Sequence, residues 1–294
     1  MTEITTRTLE ANGLTFTIDE VGTGDRVALF LHGFPESRFS WRFQLPLLAA
    51  LGWRAVAPDL RGYGDSSRPK ATSAYRVENL TDDVAAIFDA LGAKERLLVA
   101  HDWGAIVAWV FAMRKLRPLK GLVIMNVPHP AVFGQVMRKG GGQLKKSWYV
   151  FFFQIPWLPE KALTARRAEG VARAFSGMAI DKSRFPEEVL EVYRANALKP
   201  GAMTAMINWY RANFAGGLKP WSDADQPPIE TPTLMVWGEE DAALGLELTE
   251  GYEPYVKDFT LHRLPGVSHW VQQEAPEAVN ARLEAWLGEK GLAG

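Results

Sequence analysis

Cysteine is absent from this sequence of 294 residues. Its absence excludes disulfide bonds, catalysis by a thiolate and metal sites built on cysteine. A chain without disulfides suits a reducing compartment, so we expect the protein in the cytoplasm. The first residues, MTEITTRTLEANG, agree with this expectation, because they lack the charged segment and apolar stretch of a secretory signal.

The sequence also lacks an excess of charge of one sign, and it lacks a long apolar run. Lysine and arginine total 33 and aspartate and glutamate total 34, so the formal net charge is −1. This balance gives no electrostatic reason to expect nucleic acid or an anionic membrane surface as a partner. No apolar run approaches the roughly 20 residues of a membrane-spanning helix. We therefore expect neither nucleic acid nor membrane as a partner.

Short β-rich segments alternate with helical segments over much of the chain. Six of them are typical of buried strands: RVALFLHG, WRAVAPD, RLLVAHD, LKGLVIMN, TPTLMVWGEED and DFTLHRLPG. Between the second and the third, NLTDDVAAIFDALG has apolar residues at helical spacing and ends at a glycine. The alternation predicts βαβ units and a mostly parallel sheet that is buried on both faces.

The alternation stops near residue 129. From there to Pro228 the sequence is mainly helical or irregular in character and rich in aromatic and basic residues. An insertion of this length is expected to have structure of its own. We therefore predict an α/β core of residues 1–128 and 229–294 and a helical cap over residues 129–228.

The segment LLVAHDWGAIV places Asp102 between a predicted strand and a predicted helix. A charge among apolar neighbours is costly to bury unless something pairs or uses it. Asp102 therefore either caps the helix or takes part in chemistry. The residues AHDWG fit the strand–turn–helix pattern G-x-nucleophile-x-G, in which small residues let strand and helix approach closely. Gly104 meets this pattern, and Ala100 departs from it conservatively.

Four longer segments extend this pattern: LFLHGFPESRFSWRFQLPLLAALGWRAVAPDLRGYGDSSRP, AHDWGAIVAW, VWGEEDAALG and GVSHWVQQEAPEAV. Together they resemble the epoxide hydrolases of the α/β-hydrolase superfamily, and the resemblance covers about residues 10 to 290. It implies an α/β-hydrolase fold, which is a mostly parallel eight-stranded sheet flanked by helices, with a helical cap inserted after strand 6.

The resemblance implies a catalytic triad. Asp102 would be the nucleophile, His269 would activate the hydrolytic water, and Asp241 would hold His269 in its correct tautomer. Glu239 and Glu240 belong to the same acidic cluster as Asp241 and stay open as alternatives for its role.

An aspartate nucleophile narrows the substrate class. A carboxylate that attacks an sp³ carbon forms an ester, which water can hydrolyse, whereas a serine would form an ether. Epoxides and haloalkanes are substrates of this kind. Hydrolysis of the ester creates an oxyanion, and the backbone N–H groups of Phe34 and Trp103 are the implied donors to it.

Opening of an epoxide ring produces an alkoxide, which needs a proton donor. The family uses a pair of cap tyrosines, and Tyr210 matches one of them in the motif NWYR. Tyr149 matches the other, four residues before Phe153 and Gln154. A phenol suits the role because its ordinary pKa of about 10 keeps it protonated at neutral pH. The alternative for Tyr149 is one more apolar aromatic residue.

The implied substrate pocket is apolar and aromatic. Its expected lining residues are Trp103, Trp148, Phe151, Phe152, Trp157 and Trp270. We expect no cofactor and no metal, and the expected reactants are a small apolar epoxide and water. Whether the chain is a monomer or a homodimer stays open.

Two other functions fit part of the pattern. A haloalkane dehalogenase shares the fold and the triad, but that family tends to have Asn in place of Phe34 and lacks the two cap tyrosines. A non-catalytic ligand-binding protein of this fold retains the pocket. The presence of nucleophile, base, acid and both tyrosines favours an epoxide hydrolase over both.

Overall fold

The structure is a computed structural model that describes residues 3–140, 142–216 and 227–294. Residue 141 and residues 217–226 belong to the predicted cap and lie outside the described residues. Within the described ranges, no helix has the length and apolar character needed to cross a membrane.

The described residues form one eight-stranded sheet. Its strands are β1 (Thr5–Ala11), β2 (Leu14–Val21), β3 (Arg26–Leu31), β4 (Arg54–Pro58), β5 (Glu95–His101), β6 (Gly121–Met125), β7 (Thr233–Gly238) and β8 (Phe259–Leu264). They lie in the order β1-β2-β4-β3-β5-β6-β7-β8. Strand β2 is antiparallel to β1 and β4, and the other neighbours are parallel. All six predicted strands are present, and the prediction of a mostly parallel sheet is confirmed.

The hairpin of β1 and β2 is the part of the sheet that hydrophobic periodicity did not predict. Strand β1 buries only two of its seven residues, so its apolar pattern is weak. The turn between the strands is Asn12–Gly13, and both residues have positive φ. An Asn-Gly pair of this kind is typical of a two-residue hairpin turn, because such a turn needs positive φ at both positions.

Helices cover both faces of the sheet and form most of the described part of the segment between β6 and β7. They are α1 (Gln44–Ala50), α2 (Val77–Ala90), α3 (Trp103–Met113), α4 (Pro130–Lys139), α5 (Gly142–Lys146), α6 (Trp148–Phe152), α7 (Leu158–Met178), α8 (Glu187–Leu198), α9 (Ala202–Phe214), α10 (Val271–Glu274) and α11 (Pro276–Glu289). Helix α7 is interrupted by non-helical dihedral angles at residues 165–168. Short 3₁₀ turns occur at Arg38–Trp41, Thr72–Tyr75, Lys182–Arg184 and Leu246–Thr249.

Successive residues of the central strand β5 point to opposite faces of the sheet. Leu97 and Val99 belong to the apolar cluster that includes α11, whereas Leu98 and Ala100 belong to the cluster that includes α2 and α3. All four are fully buried, which explains why the strand is a continuous apolar run. The apolar cluster that includes α2 and α3 extends into the segment between β6 and β7, because helices α6 to α9 contribute buried residues to it.

The parallel strands direct their carboxyl ends to one edge of the sheet. The residues that follow β3, β5, β6 and β7 therefore meet there, as ligand-binding residues do in open parallel sheets. The helices between β6 and β7 begin at the same edge. The fold thus brings the loops of the core and the cap together at one place.

Candidate active site

Asp102 is the residue between β5 and α3. Its backbone has φ 48° and ψ −123°, which is a strained conformation for a residue other than glycine. Although it occupies the N-cap position of α3, its side chain makes no capping hydrogen bond. Instead, Oδ1 accepts a hydrogen bond of 2.7 Å from the backbone N–H of Phe34. The side chain is therefore held away from the ordinary role of a helix cap.

Two glycines make this turn possible. A Cβ atom on Gly104 would lie 2.2 Å from the carbonyl oxygen of Leu31, so any larger residue would separate α3 from β3. A Cβ atom on Gly33 would lie 2.3 Å from the Cβ atom of Asp102. The glycine of the HGFPES segment is thus required by the close approach of the two loops.

His269 lies between two carboxylates. Its Nδ1 atom is 2.7 Å from Oδ2 of Asp241, and its Nε2 atom is 3.6 Å from Oδ2 of Asp102. Glu239 and Glu240, the alternatives to Asp241, make no hydrogen bond with His269 in the described structure, and Glu240 is exposed. Asp241 is therefore the acidic residue that the structure places against the imidazole.

The electrostatics of this group favour a charged histidine. Burial alone would lower the pKa of His269, but the negative charges of Asp241 and Asp102 and the hydrogen bond with Asp241 raise it to about 10. Burial raises the pKa of Asp102, but His269, the charge of His101 and the N–H of Phe34 together hold it below its ordinary value. At neutral pH the site is an imidazolium between two carboxylates.

Tyr149 on α6 and Tyr210 on α9 lie next to each other and line the same cavities as Asp102. Their ring centroids are 6.1 Å apart, and the ring of Tyr210 also lies 5.0 Å from that of Trp103 and 5.3 Å from that of Phe34. Burial raises the pKa of both phenols above the ordinary value, and the negative charge of Asp102 adds to this effect. Both hydroxyl groups stay protonated at neutral pH.

Two chambers meet at these residues, with Asp102, Tyr149 and Tyr210 in the lining of both. The smaller continues between α3 and the cap, past Trp103, Ile106 and Phe133. The larger is lined by His269, Trp270 and residues of α5 to α7. Most of the surface of both chambers is apolar, so they suit an apolar ligand with groups on either side of Asp102.

Of the six residues that were expected to line the pocket, four line one of the two chambers and two line neither. Trp103 lines the smaller chamber, and Trp148, Phe152 and Trp270 line the larger one. The structure corrects the prediction for Phe151 and Trp157. Neither of these residues lines either chamber. Their exposed fractions are 49% and 63%. Aromatic character does not reveal which side of a short cap helix faces inward.

The comparisons with known proteins agree with this geometry. A family model described as "alpha/beta hydrolase fold" matches residues 27–276. A human protein named "Epoxide hydrolase 4" is 36% identical over 288 residues, which cover 96% of this chain and 78% of the relative. A Xenopus tropicalis protein named "Epoxide hydrolase 3" is 36% identical over 280 residues, which cover 92% and 75%.

The chain belongs to the epoxide hydrolase family of the α/β-hydrolases. The predicted family and fold are confirmed. Among solved structures, a Bacillus megaterium epoxide hydrolase in complex with an inhibitor matches with a TM-score of 0.89 and 28% identity. That match covers 96% of this chain and 100% of the other.

Asn126, which follows β6 in this epoxide hydrolase family member, was not predicted from the sequence. Its side-chain amide donates a hydrogen bond of 2.8 Å to Oδ2 of Asp241 and accepts one of 2.9 Å from the N–H of Gly238. The N–H groups of Ala243 and Leu244 donate to the other oxygen of Asp241. Asp241 is thus fixed from three sides. The position of Asn126 at the end of a predicted parallel strand was the available signal for it.

Glu36 was missed as well. This fully buried carboxylate accepts hydrogen bonds from the N–H of Gly33 and from Nδ1 of His101, and the other ring nitrogen of His101 lies 2.8 Å from the carbonyl oxygen of His269. Two amide side chains and a hydroxyl group donate to its second oxygen. Glu36 therefore joins the loops that carry Phe34, Asp102 and His269.

Within the described residues, no group of three His, Asp or Glu side chains has the arrangement of a metal site.

Proposed function

We propose that this protein hydrolyses apolar epoxides to vicinal diols through an ester on Asp102. The observation that carries the proposal is that Asp102, the buried Tyr210 and the partly buried Tyr149 all line the two apolar chambers. A nucleophile on one side of a bound epoxide and proton donors on the other side are what ring opening requires.

In the first step, a carboxylate oxygen of Asp102 attacks a carbon of the epoxide, and the bond between that carbon and the ring oxygen breaks. The electron pair goes to the ring oxygen, which takes a proton from Tyr149 or Tyr210. The products are an alkyl ester and a tyrosinate. The lowered pKa of Asp102 keeps the nucleophile ionised at neutral pH.

Formation of the ester changes the state of His269. The ester is neutral, so one of the two negative charges that raise the pKa of His269 is gone. The imidazolium then returns a proton to the tyrosinate across the larger chamber, since His269, Tyr149 and Tyr210 all line it. His269 becomes a neutral base, which takes a proton from the attacking water.

In the second step, this water attacks the ester carbonyl. The N–H groups of Phe34 and Trp103 stabilise the oxyanion, and Phe34 already donates to Asp102 before the reaction begins. Collapse of the tetrahedral intermediate releases the diol. Asp102 is again a carboxylate, His269 again an imidazolium, and both tyrosines are protonated, so the cycle balances.

The cap has two parts in this proposal. We assign it to residues 129–228, between the core segments 1–128 and 229–294. It supplies both tyrosines, and its apolar side chains close the chambers over Asp102. The reactants are an apolar epoxide and water, and the mechanism uses no metal and no cofactor.

An isotope experiment tests the two-step mechanism. With more enzyme than styrene oxide in H₂¹⁸O, the first turnover should place ¹⁸O in the Asp102 carboxylate and ¹⁶O in the diol. Direct attack of water on the epoxide would instead label the diol in that turnover. Asp102→Asn serves as the inactive control. Release of bromide from a bromoalkane without diol formation from epoxides would favour a dehalogenase instead.

A further inference from the structure

The cap presents an apolar face to solvent. Helices α5 and α6 follow each other with one residue between them. Leu144, Trp148, Phe151 and Ile155 recur at i, i+4, i+7 and i+11, which places them on one side of this helical path. Their exposed fractions are 51%, 63%, 49% and 43%. We call these four residues, with the 63% exposed Trp157, the apolar cap face.

The inner side of the same path already packs apolar residues into the core, because Val150 and Phe153 are buried. Polar residues lie on this inner side as well. Gln143 and Ser147 are buried, and the side chain of Gln143 donates to the carbonyl of Ala243 at 2.9 Å and accepts from the N–H of Gly245 at 3.0 Å. An ordinary surface helix turns its apolar side inward and its polar side to water. Here the outer side is apolar as well, and a contiguous exposed apolar face of this kind marks an interaction site.

The segment of the chain that carries this face is rich in positive charge. Residues 130–168 contain seven basic residues and one acidic residue, a net charge of +6 in a chain whose total is −1. The acidic residue, Glu160, is paired with Arg211. The ammonium group of Lys161 lies 4.9 Å from the ring centroid of Trp157. The charge balance of the whole sequence conceals this local excess.

The face also adjoins the opening of the larger chamber. Trp148 belongs to the apolar cap face and lines that chamber, and Lys146 beside it lines the chamber too. An apolar molecule that dissolves in a membrane would meet the chamber at this face. Exposed tryptophan, phenylalanine and leucine next to lysine and arginine are the composition of surfaces that lie on membranes.

We propose that the apolar cap face docks the protein on an anionic lipid surface, from which apolar substrate enters the larger chamber. Charge complementarity favours an anionic lipid surface over a second copy of this chain as the partner. A symmetric contact between two copies would bring two positively charged segments together. Docking is independent of the proposed function, whereas delivery of substrate rests on it.

Binding to vesicles tests the docking. The full-length protein should sediment with phosphatidylcholine vesicles that contain phosphatidylglycerol, and less with pure phosphatidylcholine or at high salt. Replacing both Arg138 and Lys145 with glutamate should weaken binding at least about tenfold. The matched control replaces the exposed Lys70 and Lys182 with glutamate, which changes the net charge equally and should leave binding within about twofold.

A second pair of variants tests the apolar contribution. Leu144→Gln should weaken vesicle binding about threefold or more, whereas Leu198→Gln, with a similar exposed fraction of 45%, should not. Absence of binding to anionic vesicles at low salt would overturn the proposal. Equal binding by the variants of the cap segment and by their matched control variants would overturn it as well. So would a dimer that Leu144→Gln dissociates in a protein that does not bind vesicles.

Kinetics separate delivery from catalysis. The double variant at Arg138 and Lys145 should turn over a long-chain epoxide in anionic vesicles more slowly, with an unchanged kcat/KM for styrene oxide in buffer. If neither epoxide yields diol, the proposed function fails while the vesicle result still stands. An equal loss on both substrates would overturn delivery from the membrane.

Discussion

The Nε2 atom of His269 lies 3.6 Å from Oδ2 of Asp102. This distance is too long for a direct hydrogen bond but short enough for strong charge pairing. Because Asp241 fixes the other side of the ring at 2.7 Å, the imidazole cannot turn away. His269 therefore helps to lower the pKa of Asp102, together with the N–H of Phe34, without a direct hydrogen bond to it.

Replacement of His269 should stop the reaction at the ester. His269→Gln keeps the carboxyl group of Asp102, its N–H donor Phe34 and both tyrosines, so alkylation should continue, but no base activates water. Intact-protein mass spectrometry should show an increase equal to one epoxide molecule. Asp102→Asn should show none. A His269→Gln protein that accumulates no adduct with a substrate of the wild type would contradict the two-step mechanism.

Replacement of Tyr210 should slow ring opening more than ester hydrolysis. Tyr210→Phe removes a proton donor to the alkoxide, and loss of general acid catalysis costs about 10²-fold in rate or more. Single-turnover kinetics resolve the two steps. Tyr255→Phe is the matched control, because Tyr255 lines neither chamber. Slowing of the second step alone would exclude Tyr210 as the acid.

The ion pairs of His269 should make stability depend on pH. Folding raises its pKa from the ordinary value of 6.5 to about 10, so the folded state holds the proton more tightly. This contribution is complete below about pH 6.5 and is lost as the pH rises toward 10. At about 1.4 kcal/mol per pKa unit it amounts to several kcal/mol.

Urea unfolding of wild type and His269→Gln between pH 6 and pH 9.5 measures this effect. The difference in unfolding free energy between the two proteins should shift steadily against the wild type as the pH rises. His262→Gln is the control, because burial lowers rather than raises the pKa of His262, so loss of its proton does not weaken the folded state as the pH rises. A difference that does not depend on pH would show that His269 is neutral in the folded protein.

The elbow should not tolerate a methyl group at Gly104. A Cβ atom there would overlap the backbone of Leu31, so Gly104→Ala should destabilise the protein by about 3 kcal/mol or more and reduce activity. Gly288→Ala is the matched control. Gly288 lies in α11, where an added Cβ atom would meet nothing within 4 Å, and alanine there should be neutral or stabilising by up to about 1 kcal/mol.

Glu274 should couple the cap to the loop of His269. One of its carboxylate oxygens accepts from the N–H groups of Ile180 and Asp181, both at 2.8 Å, and the other accepts from the N–H and hydroxyl of Ser268. Glu274→Ala leaves these donors without their acceptor. We expect ester hydrolysis to slow more than alkylation of Asp102, because only the first depends on the position of His269.

Single-turnover kinetics of Glu274→Gln and Glu277→Gln complete this test. Gln retains an acceptor at position 274 and should restore part of the rate of ester hydrolysis. Glu277 also contacts the cap, through Arg184, but its side chain is 72% exposed, so its replacement should leave both steps unchanged. Equal slowing of both steps in Glu274→Ala would indicate a purely structural role.

Much of the fold followed from the sequence because the signals are local. The strands of the parallel core are continuous apolar runs, since both faces of the sheet are covered. The hairpin turn at Asn12–Gly13 was also a local signal, but the exposed residues of β1 obscured its strand. The segment around Asp102 was identifiable because the turn, the small residues and the charge lie within a few positions.

What the sequence by itself determined is the family, the order of the elements and the choice of aspartate over serine at the elbow. Only the tertiary structure decided that Asp241, rather than Glu239 or Glu240, contacts His269, because that choice depends on Asn126, which is far away in the chain, and on two loop N–H groups. The tertiary structure also leaves the side chains of Phe151 and Trp157 exposed to solvent. Side-chain direction in the cap is set by long-range packing, which no short segment of sequence records.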